Sequence, residues 1–371
     1  MAAPTEYYID PAIAADSGTG AIGDPYGDVQ FALNSVTRDA TNGDRFNIKA
    51  GTDEILAAAL TLATYGTPTG TAPLIFQGYT SAAGDVGQGG ISGNGSLAVY
   101  SAAGLDITWK DLHLHNCGAA TILTLGSFCQ VIGCELDNTS GSGIVASAAD
   151  ILDVIACDFQ NIGGVGVNAL GANVSHCYFK NGTNDFTTAI TITGGNRSKY
   201  IGFNIFSLDG TSAGISSTGR ATGTGYNVTI EHNSVYTTGS GTGINHTTDL
   251  GALDVLILNN LVEGWTTGIE LGAATTRTKF TALGNAGFNN TADFDYGDTI
   301  SDSSNESLGA TPFAKSGSDT YALRATYFQP VNTGNVYSPF GGMAKAKGAI
   351  QAVPNSGGLV VARRAVHHMH W

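Results

Sequence analysis

Asp111-Leu112-His113-Leu114-His115-Asn116, Cys134-Glu135-Leu136-Asp137-Asn138, Cys157-Asp158-Phe159-Gln160-Asn161 and Cys177-Tyr178-Phe179-Lys180-Asn181 are four versions of one phrase. Each places an apolar residue between polar ones and closes on Asn, and the closing residues step by 22, 23 and 20. A second phrase keeps pace with it: Gly143-Ile144, Gly166-Val167, Ala189-Ile190, Gly214-Ile215, Gly243-Ile244 and Gly268-Ile269. Two phrases that advance together every 20–29 residues mark a stack of similar coils, each covering the apolar edge of the last.

Composition agrees. Gly accounts for 52 of 371 residues without a three-residue period, and only 12% of the chain is charged. Collagen and disorder are therefore excluded. Length alone suggests two domains, but solenoids grow by adding coils. The net charge is −14 and the 16 basic residues are scattered, so neither nucleic acid nor an anionic membrane is an expected partner. No apolar run reaches the length of a membrane span. The opening Met1-Ala2-Ala3-Pro4-Thr5-Glu6 has neither a basic nor an apolar leader region, so no secretory signal is expected.

The chain divides into three parts: 1–44, an N-terminal loop and helix; 45–299, the coils; and 300–371, an irregular region ending in a tail. Over 25–40, Pro25 followed by Val29, Ala32, Leu33 and Val36 at helical spacing predicts one amphipathic helix, suited to cover the raw apolar end of the stack. The coil region, at ~24 residues each, accommodates about ten coils of short alternating strands. Gly348-Ala349-Ile350-Gln351 reads as a final strand. The tail from Gly357 to Trp371 carries the paired Arg363 and Arg364, with His367, His368, His370 and Trp371, and reads as a docking arm for assembly.

Cys134, Cys157 and Cys177 fall at one position in successive repeats, and Phe203 reads as the next occupant. Equivalent slots describe a packing column of buried thiols, not a disulfide framework. Asn116, Asn138, Asn161, Asn181, Asn204, Asn233, Asn260 and Asn285 read as a single series of corner residues, since Asn tolerates left-handed backbone and stacks into amide ladders.

The segments Tyr8-Ile9-Asp10-Pro11, Asp16-Ser17-Gly18-Thr19-Gly20, Val29-Gln30-Phe31-Ala32-Leu33 and Gly43-Asp44-Arg45-Phe46-Asn47-Ile48-Lys49-Ala50-Gly51-Thr52 resemble the usual entry into the pectate-lyase-like superfamily, of the kind also found in bacteriophage virion proteins. The resemblance spans about residues 5–295. It implies an all-β fold: a right-handed, single-stranded parallel β-helix of about ten coils with an N-terminal amphipathic capping helix and an irregular C-terminal extension. Because that scaffold hosts lyases, hydrolases, tailspikes and inert rods, it fixes no function.

Galacturonan hydrolases on this scaffold carry an Asp-Asp pair, a Gly-His-Gly and an Arg-x-Lys; only Arg277-Thr278-Lys279 echoes the set. Lyases need acidic calcium ligands on adjacent coils plus a basic residue. Glu135, Asp137, Asp158 and Asp185 could line one face, with Trp109, Trp265, Tyr178, Tyr200, Tyr226 and Tyr236 as sugar platforms. His113 and His115 share a strand face without a visible third ligand. Asp293, Asp295, Asp298 and Asp302 are the candidates for a metal.

With no complete catalytic set, no catalytic residue is assigned and no cofactor is expected beyond a structural calcium ion. The favoured reading is a non-enzymatic structural protein of a bacteriophage virion, a capsid decoration or cement protein or a tail appendage. It would be assembled in the host cytoplasm, released without a signal peptide, and form a homotrimer whose partners are capsid or tail proteins and a glycan. The alternatives are a polysaccharide-degrading lyase or hydrolase such as a tailspike depolymerase, and an extracellular surface adhesin.

Overall fold

A computed structural model describes residues 3–323 apart from 15–16, 83–84, 86, 147–151, 194–198, 211–212, 219–225, 248–251, 273–279, 297–304, 309–312 and 317–319. The Arg277-Thr278-Lys279 motif, Asp298, Asp302, the 348–351 strand and the whole tail, including Arg363, Arg364, His367, His368 and Trp371, lie outside the described residues.

The fold is an all-β parallel β-helix with three parallel sheets. Its residues form two compact units, 1–170 with 182–184, and 171–181 with 185–371. In the first unit, one sheet runs Thr5–Ile9, Asp44–Lys49, Leu74–Tyr79, Ile107–Lys110, Cys129–Ile132 and Leu152–Ile155. A second runs Glu54–Ile55, Gly89–Ser92, Leu112–Gly118, Glu135–Thr139 and Asp158–Ile162. A third runs Leu123–Leu125, Ile144–Ala146 and Val165–Ala169. The second unit repeats the scheme, its third-sheet strands being Thr188–Thr193, Ala213–Thr218, Thr242–Thr247, Thr267–Leu271 and Ala292–Asp295.

Both sequence phrases are strands in register. Leu114 pairs with Leu136 and Leu136 with Phe159, all fully buried. Ile190, Ile215, Ile244 and Ile269 likewise pair in turn and are fully buried. The preceding glycines have a packing cause. A Cβ at Gly214 would stand 2.6 Å from the Gly243 carbonyl oxygen, and one at Gly243 would stand 2.7 Å from that of Gly268. Neighbouring coils come too close there for any side chain. Alternation along each strand then sends every second residue into the core. At the N-terminal end that core is aromatic: Phe46 packs on Phe76 at 5.9 Å, and Phe76 stacks on Trp109 at 4.4 Å.

The helix is shorter than its sequence pattern. It spans Val29–Ser35, and Pro25 lies outside it. Asp28 is the N-cap, its carboxylate accepting from the Phe31 N–H at 2.6 Å, and Val36 leaves in extended conformation. Val29, Ala32 and Leu33 form the buried face. Glu54 is buried beside Asp28, and desolvation together with that neighbouring carboxylate pushes it up to about 7. The region after 300 is not wholly irregular: Glu306–Ser307 pairs with Ala286–Phe288, and Phe313–Ser316 pairs antiparallel with Thr320–Leu323.

The asparagines are two series, not one, and Asn181 belongs to neither, its Oδ1 accepting from the Phe186 N–H. Asn116, Asn138 and Asn161 have φ of 57°, 52° and 54°, as corners require. Asn204, Asn233, Asn260 and Asn285 instead form a buried ladder. Each gives its main-chain N–H and its side-chain amide to the next Oδ1, from Asn204 through to Asn305, at 2.8–3.1 Å. Cys134, Cys157 and Cys177 are buried and not disulfide-bonded. Phe203 does not share their slot. Tyr178 pairs with Ile205, which sets Asn204 opposite Cys177. Phe203 sits one residue earlier, at φ 58°, its ring stacked between His176 and His232 at 5.2 and 4.8 Å.

Candidate functional site

Leu112 and Leu114 turn inward and are fully buried, so the alternate residues His113 and His115 must face outward on strand Leu112–Gly118. Their rings stack at 4.1 Å and 7°. Parallel register then carries acids from the next coil alongside: Glu135 lies opposite His113, and Asp137 opposite His115. Asp158 and Gln160 continue the two rows on strand Asp158–Ile162. Three of the four acids expected on one face, Glu135, Asp137 and Asp158, thus lie on the outer side of the second sheet. Asp185 belongs to the second unit.

The histidines are held from both sides. His113 Nε2 lies 3.2 Å from Asp137 Oδ1, and His115 Nε2 lies 3.1 Å from Asp53 Oδ2. Burial pulls the His113 pKa down, but the hydrogen bond and charge of Asp137 more than offset it, so the net direction is up. Asp53 comes from the turn before strand Glu54–Ile55, and Gly90 makes room for it. A Cβ on Gly90 would stand 1.8 Å from Asp53 Oδ1. Donor atoms of Asp53, His113 and His115 all lie within 4.8 Å of one another, as do those of His113, Glu135 and Asp137. These are the two groups of three metal-ligating side chains among the described residues.

The sequence pointed to the paired histidines but not to their partners. Asp53 is 62 residues from His115 and carries no motif. Asp137 reads as one acid among several in the sequence, and the coil register shows which face it shares. Asp293 and Asp295 share a face of strand Ala292–Asp295, and Asp293 accepts from Asn290 Nδ2 at 2.8 Å. Neither belongs to a group of three ligands among the described residues.

Two of the expected sugar platforms are core residues: Trp109 and Trp265 are 0% and 1% exposed. The Trp265 indole N–H donates to the Val235 carbonyl at 3.3 Å. Tyr200 donates its hydroxyl to Glu231 at 3.1 Å, and burial together with that carboxylate drives its pKa up.

No protein-family model matches the chain, and no curated protein matches it. Among solved structures it is similar to the crystal structure of pectate lyase Pel9A, with a TM-score of 0.53 and 12% identity over 95% of this chain and 97% of that one. At that identity the likeness is one of fold.

Proposed function

We propose that this protein is a non-enzymatic structural component of a bacteriophage virion, a capsid decoration protein or tail appendage whose solenoid serves as a rigid spacer. The observation that carries this reading is how its polar side chains are used. The buried amides of Asn204, Asn233, Asn260 and Asn285 bond from coil to coil and stiffen the stack. On the outer face of the first unit, His113 and His115 pair with Asp137 and Asp53, acids of neighbouring segments. Both patterns resist deformation. On this reading the protein acts as a homotrimer, its partners are capsid or tail proteins, its location is the particle, and the segment from Gly357 to Trp371 is the docking arm.

A second reading, a polysaccharide-degrading enzyme, is favoured by one observation. Glu135, Asp137 and Asp158 stand together with His113 on the exposed side of a sheet, an arrangement able to hold a cation and move protons.

Light scattering on the full chain and on a chain ending at Ser356, alongside incubation with acidic polysaccharides, separates the two. The structural reading expects a trimer that loses its subunits on truncation and releases neither unsaturated uronate absorbance nor reducing ends. A monomer that cleaves a polysaccharide would overturn it.

A further inference from the structure

The outward histidine and carboxylate group in the first unit has a composition that a calcium site does not explain. Calcium takes oxygen ligands almost exclusively, whereas imidazole nitrogen suits zinc, cobalt, nickel and copper. Here two imidazoles sit face to face at 4.1 Å, flanked by Asp53 on one side and Asp137 on the other. We propose that Asp53, His113 and His115, with Asp137 closing the set, bind one divalent transition-metal ion of the zinc class, stapling the Asp53 turn to the two coils that carry the histidines and Asp137.

The distances carry the argument. Ligand bonds of about 2.0–2.1 Å in a tetrahedral zinc site place neighbouring donors about 3.3–3.4 Å apart. The two nitrogen-to-oxygen separations already stand at 3.2 and 3.1 Å. Within the Asp53, His113 and His115 group the remaining donors lie within 4.8 Å, a gap that side-chain rotation closes, and Asp137 joins the set through its 3.2 Å approach to His113. Both histidine side chains and both aspartates are partly exposed, at 17–44%, so an ion can reach them from solvent. Carboxylates flank the histidine pair on both sides, so a dication would meet compensating charge there.

Gly90 is the second, independent mark. The strand beneath the site has no side chain at the one position where any side chain would displace Asp53. Glu135, within ligand range of His113 and Asp137, supplies an outer acceptor that can orient the His113 ring.

The test uses the full-length chain with His367, His368 and His370 changed to Ala, so that the tail cannot bind metal. Cobalt(II) is the probe, read by its visible absorption, with zinc(II) in competition and calcium(II) as control. One equivalent of cobalt should bind with an intense, low-symmetry spectrum, and zinc should displace it. His113→Gln and His115→Gln should each weaken binding at least 100-fold, and Asp53→Asn about 10- to 100-fold. Gly90→Ala, which alters no ligand, should weaken it by a similar factor because it evicts Asp53. Far-UV circular dichroism checks that each variant is folded, and Asp53→Asn and Gly90→Ala keep the test alive if a histidine variant is not. Affinity within twofold of the parent in the folded variants, absence of cobalt binding, or equal competition by calcium would each overturn the proposal.

Discussion

The Cys177 main-chain N–H donates to Asn204 Oδ1 at 2.9 Å, the point at which a cysteine slot gives way to an asparagine ladder. The two residue types do the same job. The Cys157 thiol donates to the Val131 carbonyl at 3.3 Å, and the Asn204 amide donates to the Val174 carbonyl at 3.0 Å, in each case the carbonyl of a first-sheet strand one coil back. Asn adds an acceptor that thiols supply poorly, and with it a continuous chain of bonds.

The ladder should therefore be costly to interrupt. Asn233→Ala leaves the Asn204 N–H and the Ile201 carbonyl without their side-chain partners inside the core. At about 1–3 kcal/mol for each buried group left unsatisfied, the loss should be about 3 kcal/mol. Asn138 is exposed and serves as a left-handed corner, so Asn138→Gly should change stability by only a few tenths of a kcal/mol. Urea unfolding of the two variants checks the contrast; equal effects would mean that the ladder is not what stabilises the coils.

Glu54 gives a pH dependence. Its carboxyl, ordinarily at 4.5, is pushed up to about 7 by burial and by Asp28, so the folded chain holds a proton that the unfolded chain releases. That contribution is fully present below 4.5 and is lost as pH rises through about 7. Glu54→Gln keeps the neutral shape and should stabilise the protein by about 2 kcal/mol at pH 8, with no gain at pH 4. Thermal unfolding at both values reads the difference.

His113 works over a higher window. Its pKa stands above the ordinary 6.5 through Asp137, so the stability it contributes is complete below 6.5 and fades as pH climbs past the raised value. Asp137→Asn should lower the His113 pKa, seen by NMR titration of its ring protons. It should also cost about 0.5–1 kcal/mol at pH 5.5 and little at pH 9, because the pair is half-exposed. An unmoved titration would show that Asp137 does not hold the ring.

The thiols should be silent. All five cysteines are buried, and burial raises the Cys117, Cys129 and Cys134 thiols above their ordinary value. A thiol reagent at pH 8 should label none in the native protein and five after denaturation. Rapid native labelling of any would mean that its coil opens readily.

The coil architecture was legible because it rests on spacing. A repeated phrase keeps the same residue facing inward on every coil, so Ile190, Ile215, Ile244 and Ile269 were visible as a column before their register was known. The slot of Phe203 was misread for the opposite reason. A one-residue slip exchanges inward and corner positions, and hydrophobicity alone favoured Phe over Asn204 as the buried residue. The asparagines merged into one series because corner and ladder both favour Asn, for unrelated reasons.

Local alternation and period alone specify the stacked parallel strands, the inward columns, the buried thiols and the outward pairing of His113 with His115. Coil-to-coil register is what brings Asp53 and Asp137 to those histidines and opens a buried ladder at Asn204. Those contacts join residues tens of positions apart. They depend on how one coil registers on the next, a quantity that no single repeat contains.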